Sequence, residues 1–166
     1  MTKQNRNSWI GIAAILAIGA LIILAGSDGS TKVDSISVFA VCGISAYVIN
    51  WVVFVPSNAA KTEHFFDLTG SITYLTLIVL ALVLSGDLDA RALIVAAMVV
   101  VWAARLGSFL FRRVRKDGRD GRFDQIKVDP LRFFMTWTLQ GLWVLLTVAC
   151  ALAIITGGDS CAWSNV

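Results

Sequence analysis

Hydrophobic residues fall along this chain in five blocks separated by short polar segments. Residues 7–27, 35–60, 68–86 and 133–158 carry no charged side chain, and a fifth block, 92–111, is broken only by Arg105. A bilayer core about 30 Å thick is crossed by roughly 20 helical residues, so every block is long enough to span. The pattern predicts an all-α fold, a polytopic transmembrane helical bundle in one membrane domain. Its five spans are expected at about 8–26, 35–55, 67–85, 91–112 and 131–156.

Local signals sharpen the ends. Pro56 has no N–H and biases its predecessor towards extended backbone, so the second helix is expected to stop near Val55. Asp67 stands before the third block, where its carboxylate can cap the first turn. Ser85-Gly86-Asp87 makes a tight turn towards the fourth helix, and Asp129-Pro130 opens the fifth, with proline at its favoured first helical position. Residues 116–122 alternate in charge around two glycines and read as a turn-rich loop, while 157–166 form a short polar tail.

Composition agrees with the pattern. Apolar residues make up 57% of the chain, charged residues 15%, and the mean hydropathy is +0.77, outside the range of a water-soluble domain. Residues 112–132 hold eight of the fourteen Lys and Arg. Positive charge in short loops stays on the cytoplasmic side, which places this loop and the amino terminus with Lys3 and Arg6 in the cytosol. Lys61 falls on the same side, and only Lys32 and Arg91 fall outside. A basic balance concentrated in one loop does not indicate a nucleic-acid partner; the partner implied is the lipid bilayer. Lys3 and Arg6 before an apolar run ending Ala25-Gly26-Ser27 also imitate a secretory signal, the alternative to a retained first span.

No metal centre is expected. Cys42 and Cys150 lie inside spans and Cys161 in the tail, with no ligand spacing; Glu63 and His64 are adjacent but alone. Asp117, Asp120 and Asp124 are interrupted by arginines and lack the terminal glutamate of a calcium loop.

Polar side chains inside spans are costly and are candidates for function. Tyr47 and Asn50 fall within ~12 Å of the cytoplasmic end of their span, Tyr74 and Arg105 ~10 Å in, and Gln140 ~12 Å in, at 1.5 Å per residue. A common depth suggests one pocket open to the cytosol, lined by Tyr47, Asn50, Ser71, Tyr74, Arg105 and Gln140. Asp67, Gly70, Ser71 and Tyr74 follow i, i+3, i+4, i+7 spacing and share a helix face; Trp102, Arg105, Phe109 and Arg112 or Arg113 form a stripe on the next helix. Each has a plainer reading. Asp67 can be only a cap, Tyr74 an interfacial tyrosine, Arg105 a snorkelling side chain, Gln140 a helix–helix hydrogen bond, and the basic loop a topology signal.

Four motifs in order suggest more. Phe66-Asp67-Leu68-Thr69-Gly70-Ser71-Ile72-Thr73-Tyr74, Arg105-Leu106-Gly107 with Arg112-Arg113, Asp120-Gly121-Arg122-Phe123-Asp124, and Thr138-Leu139-Gln140-Gly141-Leu142-Trp143 resemble the bacterial membrane proteins of unknown function related to the steroid 5-alpha-reductase carboxyl-terminal domain. The resemblance covers residues 66–156; the first two helices match only in hydropathy. It implies an NADPH-dependent reductase of the bacterial inner membrane that saturates a double bond conjugated to a carbonyl in a small lipid-like or sterol-like substrate. Carried over by position, Arg105, Arg112, Arg113 and Arg122 hold the cofactor's phosphates, for which guanidinium groups are suited. Tyr74 and Asp67 are the catalytic candidates and Tyr47, Asn50, Ser71 and Gln140 the substrate pocket.

Two departures matter. Trp102 stands where the steroid reductases place their catalytic tyrosine, three residues before Arg105, and indole cannot donate a proton in that way. The family's further Arg-x-x-Pro-Asn-Tyr-Phe-Gly-Glu type motif is absent, so the chain is expected to be the amino-terminal portion of a longer protein. Two other readings stay open: a membrane methyltransferase of the isoprenylcysteine carboxyl methyltransferase type, which is related in fold, and a non-catalytic membrane protein.

Overall fold

A computed structural model describes residues 3–86, 88–117 and 123–157. It contains five long helices: α1 (Lys3–Ser27), α2 (Val38–Ala59), α3 (Phe66–Ser85), α4 (Ala90–Asp117) and α5 (Pro130–Thr156). All five are long and apolar enough to cross a membrane, and the chain is an all-α bundle.

The central helix is α5, which packs on each of the other four. Trp137, Gly141, Leu145, Val148 and Leu152 recur every three or four residues along it and are buried, so one stripe of α5 forms the middle of the core. Its start is fixed as the sequence predicts: the Asp129 side chain accepts from the Leu131 and Arg132 N–H groups, and Pro130 occupies the first turn.

Three boundaries differ from expectation. Helix α2 runs through Pro56 to Ala59. Proline removes one hydrogen bond there, but the Pro56 carbonyl still accepts from the Ala60 N–H at 2.9 Å, so the last turn closes. Helix α3 begins at Phe66, one residue before Asp67, and has no side-chain cap; the Asp67 carboxylate is used elsewhere. Helix α4 continues to Asp117, so Arg112, Arg113 and Lys116 are helical and not in a loop. The expected Asp87 turn residue, most of the 116–122 loop and the tail from 158 onward, with Cys161, lie outside the described residues.

The segment before α2 forms a small hairpin, β1 (Lys32–Val33) and β2 (Ile36–Ser37), paired antiparallel. Its two turn residues, Asp34 and Ser35, have φ of 48° and 72°, as the turn type matching strand twist requires. Ser37 then caps α2, accepting from the Ala40 N–H at 3.3 Å. The hairpin end of the bundle is tied to α5 by Thr31, whose N–H donates to the Thr156 carbonyl at 2.6 Å.

The opposite end, where most basic residues gather, is closed by aromatic rings. Phe123 and Phe133 pack around Phe66 and Trp137, with ring centroids 4.9 Å apart for Phe66–Phe123 and 5.1 Å for Phe66–Trp137. Beside them the Lys127 ammonium donates to Glu63 Oε2 at 2.8 Å and lies 3.6 Å from Asp124. That pairing holds the Lys127 pKa above its ordinary value, chiefly through the Glu63 hydrogen bond.

Candidate functional site

A cavity of about 460 Å³ opens between α3, α4 and α5. Four residues that share a face of α3 by spacing, Asp67, Gly70, Ser71 and Tyr74, all line it. From α5 come Thr136, Leu139, Gln140 and Trp143, again at helical spacing, and from α4 come Leu106 and Leu110. Phe123 and Ile126 cover the basic end.

Small residues permit the closeness of the walls. A Cβ on Gly70 would stand 3.0 Å from Gln140 Nε2, and one on Gly107 would stand 2.9 Å from the Ser71 Cβ. Gln140 therefore lies across the start of α3, where its Nε2 donates to the Phe66 carbonyl at 2.7 Å.

At the basic end Asp67 Oδ2 accepts from Arg113 Nη2 at 3.1 Å, which joins α3 to α4. Two turns further along α3, the buried Tyr74 ring meets Trp102 edge to face, with centroids 4.9 Å apart.

The expected single cavity divides. Ser71, Tyr74, Asp67 and Gln140 come together, but Tyr47 and Asn50 do not line the same space. Helix α5 stands between: Gly141 abuts Tyr47, with 3.0 Å from a glycine Cβ position to Tyr47 Cδ1, while its neighbour Gln140 faces the cavity. Asn50 is fully buried, its Nδ2 donating to the Ala46 carbonyl at 2.8 Å. Equal depth in a bilayer does not give equal direction around the helix axis.

Arg105 also stays outside the cavity. Its neighbours Leu106 and Gly107 turn towards α3, which leaves Arg105 on the uncovered face of α4 with Trp102, Phe109 and Arg112. The stripe foreseen from spacing therefore exists, but it backs onto the cavity instead of entering it. Arg113, one residue round the helix, is the arginine that reaches the cavity's polar wall. Arg122 lies outside the described residues.

Sequence reasoning missed Thr136, Leu139 and Trp143. The signal was available, since these residues and Gln140 recur at intervals of three and four along α5. What was lacking was any reason to prefer that face to the one that carries Trp137 and Gly141.

No curated protein and no solved structure matches this chain. Residues 53–166, which include every wall of the cavity, match the family described as "Protein of unknown function (DUF1295)", a steroid 5-alpha-reductase-like family. The chain belongs to that family.

Proposed function

We propose that this protein is a membrane-embedded, NADPH-dependent reductase of the bacterial inner membrane, acting on a conjugated double bond of a lipid-like or sterol-like substrate. The observation that carries the reading is the Tyr74–Trp102 contact, which joins a largely apolar cavity with a few polar groups to a stripe bearing Arg105 and Arg112. Mostly apolar walls with few placed polar groups are what a lipid-like ligand requires.

Arg105 and Arg112 are seven residues apart on α4, two helical turns, and both are uncovered. Guanidinium groups so placed suit two phosphate positions of one dinucleotide. The cofactor, when bound, supplies the hydride. Tyr74 and Asp67 remain the candidates to polarise the substrate carbonyl, Tyr74 through its phenolic proton and Asp67 only in its protonated form, since the carboxylate paired with Arg113 accepts and does not donate. The Asp67–Arg113 pair is also the one observation favouring a second reading, a membrane protein that binds an amphiphile without transforming it.

The test is cofactor binding by the purified protein in lipid nanodiscs. Exchanging Arg105 and Arg112 for Gln is expected to weaken NADPH about tenfold more than NADH, because the extra phosphate adds charge that an arginine can pair with. Equal weakening of both cofactors, or none, would remove these arginines from cofactor recognition.

A further inference from the structure

The first two turns of α1 present a polar face that lies apart from the cavity. Gln4, Asn7, Ser8 and Gly11 follow i, i+3, i+4, i+7 spacing and share one side of that helix. Opposite them stand Arg132 and Met135, at the start of α5. At Gly11 the two helices close, since a Cβ there would stand 2.6 Å from Met135 Sδ. Beyond that contact they part, and Gln4, Asn7, Ser8, Arg132 and Met135 line a groove of about 500 Å³.

The groove is matched to an anion. Arg132 is partly buried, yet its guanidinium pairs with no acid among the described residues. Asp129, one turn before it, is engaged: one carboxylate oxygen accepts from the Leu131 and Arg132 N–H groups and the other from Gln4 Nε2 at 3.2 Å. No carboxylate lines the groove, and Asn7 and Ser8 add an amide and a hydroxyl that have no partner among the described residues. A guanidinium fork flanked by two neutral donors suits a phosphate group, whose several oxygens accept at once.

Position selects the source of that phosphate. The groove lies where two membrane-length helices begin, the level at which headgroups meet a span, and the exposed Trp9 beside it is a residue type that gathers at membrane interfaces. From Asn7 onward the uncovered residues Ile10, Ala14, Ile18 and Leu21 recur in steps of three and four along the same side of α1. An acyl chain can follow that stripe from a headgroup held at Arg132. A zwitterionic headgroup brings a cation for which the groove offers no free carboxylate, whereas net negative charge matches the arginine.

We infer that the groove between the starts of α1 and α5 binds the phosphate of an anionic phospholipid, with Arg132 as the charged anchor and Asn7 and Ser8 as flanking donors. It shares no residue with the α3–α4–α5 cavity, so its test is independent of the reductase reading.

Native mass spectrometry of the detergent-purified protein, titrated with dioleoyl phosphatidylglycerol or dioleoyl phosphatidylcholine, counts bound lipids directly. A single saturable phosphatidylglycerol is expected, held roughly tenfold more tightly than phosphatidylcholine, the effect of a charge-assisted contact. Arg132→Gln should abolish that preference, and Arg132→Lys, which keeps the charge and loses the fork, should retain only part of it. Asn7→Ala, at an exposed position, should weaken phosphatidylglycerol about threefold while leaving the lipid-free unfolding midpoint unchanged, which keeps the test decisive if Arg132→Gln fails to fold. Arg6→Gln, exposed at the same end but outside the groove, should leave the preference intact.

Equal affinity for the two lipids overturns the inference. So does an equal loss in Arg6→Gln and Arg132→Gln, which would mean that diffuse positive charge attracts the lipid. Glycerol 3-phosphate supplies the last arm: it is expected not to displace phosphatidylglycerol even in large excess, and displacement would assign the groove to a soluble phosphate and overturn the lipid as its ligand.

Discussion

Glu63 is the chain's only glutamate, and its side chain is 4% exposed beside the Lys127 ammonium at 23%. A carboxylate this covered depends on Lys127, because removing one member of a buried pair leaves the other charge less well compensated. Lys127→Met is therefore expected to destabilise the protein by about 2–3 kcal/mol, somewhat less than a fully buried pair because water still reaches the lysine. The double variant Glu63→Gln, Lys127→Met should recover most of that loss, as measured by thermal unfolding in detergent. The sign with pH follows from the raised lysine pKa: its contribution is complete below the ordinary lysine value and is lost as pH rises through the higher folded value. Wild-type protein should lose stability in that alkaline window more steeply than the double variant. Because Lys127 follows Phe123 and Ile126, the same pair holds the cover at the basic end of the cavity.

At the scale of elements, the closest approach in the site is α3 against α4 at Gly107. A valine there would meet Ser71 first, since even a Cβ would lie 3.0 Å from its Oγ. Gly107→Val is expected to separate the two helices, weaken the Tyr74–Trp102 contact and cost about 1–3 kcal/mol. A Gly107→Val midpoint equal to wild type would show that α4 is held by other contacts. Sequence reading reached this level unevenly, for physical reasons. Long uncharged runs and the Asp129-Pro130 cap are local signals, so the five helices and the start of α5 could be read directly. The face carrying Asp67, Gly70, Ser71 and Tyr74 could be read too, because periodicity within one helix states which residues lie together. Periodicity does not state which neighbour a face meets, and that is why depth alone assigns Tyr47, Asn50 and Arg105 to a cavity that α5 and the phase of α4 withhold from them. Pro56 misled for a related reason: its cost is one hydrogen bond, and a packed helix in an apolar setting continues past it.

The whole molecule separates charge by end. Lys3, Arg6, Lys61, Arg112, Arg113, Lys116, Lys127 and Arg132 lie where α1, α3 and α5 begin and α2 and α4 finish, and Gln4 Nε2 donates to Asp129 Oδ2 at 3.2 Å across that end. The other end carries Lys32 and Arg91 with Asp28, Asp34 and Asp89, and the Asp89 carboxyl is held below its ordinary pKa first by the Ala92 N–H and then by Arg91. From five spans and this asymmetry we propose that the amino terminus and the α4–α5 connection lie in the cytosol and the hairpin outside. With the native cysteines replaced by serine, a cysteine introduced at Lys61 should react with an impermeant maleimide only in inverted vesicles, and one at Asp34 only in intact cells stripped of their outer membrane. Both positions are exposed and neither lines the cavity, so labelling reports side and not function. Labelling of both from the same side would break the five-span topology itself, whereas a clean reversal would keep the bundle and turn the arginine-bearing end of α4 away from the compartment that supplies a reduced dinucleotide.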